Sequence, residues 1–440
     1  MTPNRLSATR AVPPSFWHNL VVLFFLLDTV SAFGIIDNLV YGHWLGKGGD
    51  KITQSLQLMM IASSIYLFSK SYRLIGIRTG AALALLLMFY LFMTSFWSMD
   101  SGATTKEAIV YLVVIIGVIG IAGKYRFNKY VGMLFFACLV SAVASVLLYV
   151  VSPANAVMED GGGMEGIFSH KNTLGQVMAT AVLATLYYRT KKPSYRVLKI
   201  IGIVLFIALA AASRSATALL TIFVFCGASA FTAGYRAGGG SRPITVAIAA
   251  IVVPLLIMFL VYPDPILDLI GKDPTLTGRT EIWGYVMDDI AIKPLLGWGY
   301  FGFWIPSNPY ALEIASTVHW FVPQSHNGVL EIVLTTGFVG FVLFAVLFVR
   351  NIVLAIRCLR TPDSDLAVFT LVHCVGIVMT GVSEMVLLAP IEPSTTVFFI
   401  TGLMCERALV MARTRQRHAV PRAARGPMPV GPSARFSRFR

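Results

Sequence analysis

The chain has 440 residues, of which 56% are hydrophobic and only 13% charged, and its mean hydropathy is +0.75. Soluble domains carry about 25% charged residues, so this composition excludes an ordinary soluble protein and indicates an integral membrane protein. The net charge of +14 does not indicate nucleic acid binding, because the basic excess is spread over short loops and a tail.

Apolar segments long enough to cross the hydrocarbon core, which takes about 17–25 residues, recur along the whole chain. The sequence therefore predicts an all-α integral membrane protein with about 12 transmembrane helices. The stretch 197–234 is too long for one span and is predicted to be a hairpin that turns at Ser213-Arg214-Ser215. The predicted spans are 16–36, 54–70, 79–97, 107–123, 129–151, 173–190, 197–213, 215–234, 243–262, 327–349, 366–388 and 394–411.

Charge placement orients these spans. With the N-terminus in the cytoplasm, the inner segments hold 27 of the 35 basic residues, as the positive-inside rule requires. The predicted parts are a cytoplasmic segment 1–15, a membrane domain 16–411 with one large outer loop 263–326, and a basic, disordered cytoplasmic tail 412–440. Both termini are then cytoplasmic. The tail either lies on the anionic inner leaflet or is only a topology anchor.

The large outer loop contains the strongest candidate for binding an anion. Residues 280–292 are predicted to form an amphipathic helix with Thr280 as its N-cap. Arg279 precedes this helix, where free backbone N–H groups already favour anions and a guanidinium adds donors suited to phosphate. The alternative is an interfacial arginine that pairs with lipid headgroups or with Glu281.

Two further segments place polar side chains at the outer surface. Arg214 at the hairpin tip could bind an anion together with Ser213 and Ser215, or it could simply snorkel to the interface. His326 begins span ten and could act as a general base, although a lone histidine at a membrane boundary is often only an interfacial residue. Asn327 and Glu331 lie one helical turn apart, on the same predicted face.

The other outer loop ends in His170-Lys171-Asn172, which offers a cation and hydrogen-bonding groups. The alternative is a helix cap, with Asn172 or Thr173 as N-cap. Aromatic residues of the large loop, Trp283 among them, could stack on sugars or form an interfacial belt. Asp28 and Glu384 lie near or within spans without an identifiable partner, and this pair raises a proton-coupled transporter as the rival function.

Five motifs occur in a fixed order across residues 90–350, and together they resemble the O-antigen ligase and polymerase family. The Ser-His-Lys-Asn-x-Leu-Gly form is most similar to exopolysaccharide polymerases of the succinoglycan type. The motifs are Gly166-Ile-Phe-Ser-His-Lys-Asn-Thr-Leu-Gly175, Ser213-Arg-Ser215, Gly278-Arg-Thr-Glu-Ile-Trp283, Pro294-Leu-Leu-Gly-Trp-Gly-Tyr300 and His326-Asn-x9-Gly337-x-x-Gly340.

This resemblance implies a multi-pass glycosyltransferase of the GT-C type in the bacterial inner membrane, with a periplasmic active site and neither cofactor nor metal. The implied substrates are an undecaprenyl-diphosphate-linked oligosaccharide donor and a glycan acceptor, and the implied partners are membrane lipid, a chain-length regulator and a flippase. The family's functional cations and histidine match Arg214, Arg279 and His326. Substrate-binding candidates are His170, Lys171, Asn172, Ser213, Ser215, Trp283, Asn327 and Glu331.

Three functions remain open on the sequence alone. The first is polymerisation of lipid-linked repeat units into exopolysaccharide or O-antigen. The second is ligation of a glycan to lipid A core or to protein. The third, from another class, is a transporter or flippase of anions or lipid-linked sugars. Transporters often show repeated halves, and no repeat is visible here, which favours an enzyme.

The predicted orientation can be tested by labelling single cysteines introduced at Ser307 and Ser433 in a variant that lacks the five native cysteines. An impermeant maleimide should label position 307 from the periplasm and position 433 only after permeabilisation. Labelling of both positions from the same side would disprove the twelve-span topology.

Overall fold

The protein is described by a computed structural model over residues 16–36, 51–75, 78–158, 162–237, 279–386, 389 and 391–419. These residues are almost entirely helical, and the only strand-like pairing among them is an isolated bridge between Val157 and Met164. The helices are α1 (Phe16–Thr29), α2 (Lys51–Ile75), α3 (Thr79–Met93), α4 (Ser101–Lys124), α5 (Phe127–Val151), α6 (Lys171–Tyr187), α7 (Pro193–Ala212), α8 (Ala216–Ala237), α9 (Arg279–Ile292), α10 (Pro309–Val318), α11 (Gly328–Cys358), α12 (Ser364–Gly381) and α13 (Pro393–Ala419).

The prediction of an all-α membrane protein is confirmed. Every predicted span that falls within the described residues overlaps a helix, and only 243–262 lies wholly outside them, although α1, α2 and α6 are not among the helices that are long and apolar enough to cross a membrane. Within the described part of the chain, eight helices are long and apolar enough to cross a membrane: α3 with its following 3₁₀ turn, α4, α5, α7, α8, α11, α12 and α13. The predicted hairpin turn is also confirmed, because α7 ends at Ala212 and α8 begins at Ala216.

Several predicted boundaries were wrong: α1 ends at Thr29, although the first span was expected to reach residue 36, and α11 continues to Cys358, beyond the predicted 349. Span eleven was expected to reach residue 388, but α12 ends at Gly381, so Glu384 lies in the turn beyond the helix. The disordered tail was expected from residue 412, but α13 continues to Ala419, since this stretch is rich in alanine and arginine, which favour helix. Residues 1–15 and 420–440, the rest of the predicted terminal segments, lie outside the described residues.

The membrane core is built around α4, which packs between α2 and α13, and around α6, which packs on α7 and α8. Large aromatic side chains such as Tyr111, Tyr130 and Phe135 are fully buried there. The outward faces are apolar as well, because Ile200 and Val204 on α7 are exposed. A surface of this kind is stable only in a bilayer, where exposed apolar side chains contact lipid tails.

The outer loop builds a second, smaller core from α9, α10 and the chain between and after them. The predicted amphipathic helix is confirmed as α9, whose Ile282 and Val286 point into this core. The helix already includes Arg279, so Thr280 lies in its first turn and is not its N-cap as predicted. The buried members of this cluster are Ile282, Val286, Trp298, Phe303, Ala311, Ile314, Val322 and Leu334.

A break in α11 separates its first turns, which pack on this outer core, from the longer part that follows. The helix has 31 residues, or roughly 46 Å at 1.5 Å per residue, which is longer than the hydrocarbon core. At Gly337 the backbone leaves helical geometry, with φ 66° and ψ −177°, a conformation that glycine alone adopts readily. The 21 residues after the break span roughly 31 Å, enough to cross the membrane.

The segment 294–299 occupies the break and satisfies the backbone groups that the helix cannot. Such compensation is required wherever water cannot reach the backbone, because a buried, unpaired N–H or C=O costs free energy. Gly337 and Gly297 lie in contact here, so neither position has room for a Cβ atom. Three backbone bonds join the segment to the helix: Trp298 N to Leu334 O (2.9 Å), Gly299 N to Thr335 O (2.9 Å) and Phe338 N to Pro294 O (2.8 Å). A fourth bond comes from α3, where Tyr90 Oη donates to Thr336 O at 2.6 Å.

We expect Gly337→Ala to destabilise the protein strongly, because an added Cβ would lie 2.2 Å from Leu295 O and the backbone conformation is strained for any L residue. The strain alone costs on the order of 1–3 kcal/mol. Thermal unfolding of the purified protein in detergent measures the effect. Gly227→Ala in α8, where no atom lies within 4 Å of an added Cβ, is the matched control. Equal melting temperatures for the two variants would contradict the assigned role of the break.

Candidate active site

One buried carboxylate connects four separate parts of the chain at the predicted outer end of the bundle. Glu384 Oε1 accepts hydrogen bonds from Asn172 Nδ2 at 2.6 Å and from Arg279 Nη2 at 3.0 Å. Its Oε2 atom accepts a weaker bond from Gln324 Nε2 at 3.4 Å and lies 3.6 Å from His326 Nδ1. Arg279 also donates from Nη1 to Ser383 O at 2.7 Å. We call Asn172, Arg279, Gln324, His326 and Glu384 the Glu384 cluster.

The charge state of Glu384 follows from these neighbours. Its side chain is only 7% exposed, and burial by itself raises the pKa of a carboxyl group. Here the proximity of His326 and the positive charge of Arg279 outweigh burial and hold the pKa of Glu384 below its ordinary value. The carboxylate is therefore ionised at neutral pH. Its stabilising contribution is lost only as the pH falls through this lowered pKa.

Three helix N-termini also converge on the cluster. Helix α6 begins at Lys171, next to Asn172, α9 begins at Arg279, and α11 begins two residues after His326. Gly328, the first residue of α11, lies close to Glu384 O. Because the peptide dipoles of a helix place about half a positive charge at its N-terminus, the region is electropositive beyond its side-chain charges. Such a region favours binding of an anion.

The loop that carries His326 is clamped through the backbone of Ser325. Ser325 N donates to Glu331 Oε2 at 2.7 Å, and Ser325 O accepts a bond from Trp283 Nε1 at 3.0 Å. Glu331 is also bound by Trp304 Nε1, so both of its oxygen atoms contact the chain. Glu331 and Trp283 thus fix the loop that presents His326.

Asn327 completes this arrangement as the N-cap of α11. Its side-chain Oδ1 accepts bonds from Val329 N and Leu330 N, at 3.0 and 3.2 Å. The predicted shared face of Asn327 and Glu331 is therefore turned toward the chain itself, and both residues shape the base of the His326 loop.

Two of the predicted catalytic residues have left-handed backbone conformations. The φ angle is 53° at Arg214 and 51° at His326, a region that residues other than glycine rarely adopt. Each such conformation costs on the order of 1–3 kcal/mol and persists only where its surroundings enforce it.

The turn that bears Arg214 lies beside the cluster. Thr217 Oγ1, three residues later in the first turn of α8, contacts Ser383 Oγ at 2.8 Å. On its other side, Met164 N donates to Ala212 O at 3.0 Å. The Arg214 side chain is exposed on this turn. The structure thus brings Arg214 to the same end of the bundle as Arg279 and His326.

The remaining predicted residues contact the chain itself. Ser213 is buried, donates to Ala210 O and accepts from Ser215 N, so the two serines shape the turn under Arg214. Lys171 Nζ donates to Gly162 O at 2.9 Å.

His170, and neither Asn172 nor Thr173, is the N-cap of α6, because its Nδ1 accepts from Asn172 N at 3.1 Å. Burial lowers the pKa of His170 and keeps the ring neutral, as an accepting nitrogen requires. Because His170 caps the helix, the Asn172 carboxamide is not used as a cap and binds Glu384 instead.

Sequence reasoning did not find Glu384 as a site residue. The sequence showed a carboxylate near the end of an apolar span, which is costly without a partner. Its main partners, Asn172 and Arg279, lie 212 and 105 residues away along the chain, so no local pattern could connect them. Gln324, which also donates from the His326 loop, was missed for the same reason.

Comparison with known proteins agrees with this geometry. Residues 200–345, a segment that includes Arg214, Arg279 and His326, match the O-antigen ligase family. The chain is also 29% identical over 166 residues to the exopolysaccharide production protein ExoQ of Rhizobium meliloti (strain 1021). That alignment covers 35% of this chain and spans 37% of the length of that relative.

These matches confirm the resemblance to the O-antigen ligase family and agree with the succinoglycan-type branch indicated by the Ser-His-Lys-Asn motif. The family and the apolar helices together indicate a multi-pass membrane protein with a ligase- or polymerase-type function.

We expect Glu384→Gln to lower both stability and transfer activity, because it removes the charge that balances Arg279 while it preserves side-chain size. The loss of stability should be about 3 kcal/mol, the lower end for a broken buried pair, since Arg279 remains partly exposed. The measurements are thermal unfolding in detergent and polymer yield in cells that express the variant.

Glu392→Gln is the matched control. Burial and the charge of Glu384 raise the pKa of Glu392 to about 8, so this carboxyl group is mostly protonated at pH 7 and an amide replaces it closely. If Glu384→Gln behaves like Glu392→Gln in both measurements, the cluster does not depend on the carboxylate charge.

Proposed function

We propose that the protein is an integral-membrane glycosyltransferase that joins undecaprenyl-diphosphate-linked oligosaccharide repeat units into exopolysaccharide or O-antigen at the periplasmic face of the inner membrane. The observation that carries this proposal is the Glu384 cluster, in which an arginine and a histidine share one buried carboxylate at an electropositive end of the bundle. A site of this kind suits an anionic leaving group and a neutral hydroxyl nucleophile.

We assign the binding of the donor diphosphate to the arginine side chains. Arg279 uses one N–H on Glu384 and one on Ser383 O, so two of the five N–H donors of its guanidinium hold it in place. The remaining edge can bind phosphate oxygens in a fork, which a lysine cannot do. Arg214 and the N-terminus of α9 add positive charge where the leaving group develops negative charge.

The acceptor hydroxyl is assigned to His326. With Nδ1 facing Glu384, the imidazole favours the tautomer that carries its proton on Nδ1 and leaves Nε2 as the base. The acceptor oxygen attacks the anomeric carbon as its proton passes to Nε2. The bond between that carbon and the phosphate oxygen breaks, and its electron pair leaves with the diphosphate. Attack opposite the leaving group inverts the anomeric configuration.

Metal independence is part of the proposal. The described residues contain no group of three or more His, Cys, Asp or Glu side chains that could hold a metal ion, and arginine supplies the charge that a metal would otherwise provide. A flippase would have to deliver the donor to the outer face. A chain-length regulator would be needed to end growth of the polymer.

The test uses purified protein in lipid nanodiscs with lipid-linked repeat units extracted from a strain that lacks this chain, in the presence of EDTA. The wild type should form polymer. Arg279→Lys should lower the rate by ~10²–10³, the usual loss for one transition-state donor. His326→Gln should lower it by ~10²–10⁴, as for a general base.

A matched arginine on the other side of the bundle serves as the control. Arg236 binds Asp365 Oδ1 through Nη1 at 2.8 Å and Ser364 O through Nη2 at 3.1 Å, the same pattern that Arg279 shows with Glu384 and Ser383. Arg236→Lys should retain activity. Normal polymer from an Arg279→Ala, His326→Ala double mutant would refute the assigned active site and favour the transporter function instead. Glycan transferred once to lipid A core would identify a ligase.

A further inference from the structure

Trp320 lies beside the Glu384 cluster and differs from the other tryptophans of the outer domain. Its ring centroid is 6.1 Å from that of His326, with the planes tilted by 51°. Its side chain is 46% exposed. It directly follows His319, whose left-handed backbone (φ 62°) ends α10 and turns the chain toward the His326 loop.

The hydrogen bonds of the indole N–H groups distinguish Trp320 from the other tryptophans. Four tryptophans around the outer domain donate this group to the chain: Trp97 to Leu296 O, Trp283 to Ser325 O, Trp298 to Asp289 O and Trp304 to the Glu331 carboxylate. Among the described residues no acceptor binds the N–H group of Trp320. Within the described part of the chain, Trp320 therefore has an indole N–H without a bonded acceptor and a partly exposed ring next to the histidine.

Resting on the proposed function, we propose that Trp320 is the platform for the acceptor sugar and positions its hydroxyl at His326. A pyranose ring has one face of C–H groups and a rim of hydroxyls, which complements an indole with an apolar face and one N–H donor. A sugar stacked on this ring would lie close to the His326 imidazole, whose centroid is 6.1 Å from that of the indole. Trp283, the tryptophan predicted to bind sugar from the sequence, has its N–H committed to the His326 loop.

The neighbourhood favours a sugar over a lipid headgroup or tail as the occupant. Trp320 lies beside His326, and Gln324 follows it in the same loop. His326 and Gln324 both contact Glu384. Phe321, the next residue, is similarly exposed, at 41%, but no ring contact joins it to His326 within the described residues. A role confined to the membrane interface would not distinguish these two neighbouring aromatic residues.

The experiment separates acceptor binding from donor binding. The acceptor is the water-soluble repeat unit released from the carrier by mild acid, and the donor is the intact lipid-linked repeat unit held at a fixed concentration. Trp320→Ala should raise the KM for the soluble acceptor ~10-fold and change kcat by less than ~3-fold, because a stacking contact of about 1.5 kcal/mol is lost. Trp320→Phe, which keeps a ring, should restore most of the affinity.

Phe321→Ala is the matched control and should leave the acceptor KM unchanged. An unchanged acceptor KM in Trp320→Ala overturns the inference and leaves the proposed function intact. A change confined to the donor KM, or an equal change in Phe321→Ala, assigns Trp320 to the membrane interface and also overturns it. Failure of the wild type to transfer to any acceptor would overturn the proposed function itself.

Discussion

The outer end of this bundle depends on the buried carboxylate of Glu384. A buried charge is tolerated only when it is paired and hydrogen-bonded, so the fold must bring its partners to it. Asn172 arrives from the start of α6, Arg279 from the start of α9, and His326 from the loop before α11. The requirement to satisfy one carboxylate therefore assembles a cationic, histidine-containing site from segments that are distant in sequence.

A second constraint positions the outer domain on the helical bundle. The break at Gly337 lets a short outer part of α11 turn away from its membrane-spanning part, and the segment 294–299 satisfies the backbone groups exposed at the break. The small core of the outer domain includes Leu334, just before this break. The domain that carries Arg279 and Trp320 is thus joined to the bundle by backbone hydrogen bonds as well as by the chain itself.

The sequence predicted the helical membrane fold, the hairpin at Arg214 and the amphipathic helix after Arg279, because hydrophobic length and periodicity are local properties. It also indicated the family through motifs that contain glycines required by the fold. At Gly337, for example, an added Cβ would clash with the backbone of Leu295. It did not predict the role of Glu384, because a carboxylate reveals its partners only when the chain is folded. It did not separate Trp283 from Trp320, because exposure and the use of an indole N–H group are tertiary properties.

The central claim is that Glu384 and His326 act as one unit, and a double-mutant cycle on kcat/KM tests it most directly. The four proteins are the wild type, Glu384→Gln, His326→Gln and the double variant, assayed with lipid-linked repeat units. Residues that act as a unit give strongly non-additive losses. Because Glu384 also holds Arg279, the account predicts that the double variant loses more activity than His326→Gln alone but clearly less than the product of the two single losses. Losses that multiply would show that the two residues act independently and would contradict it.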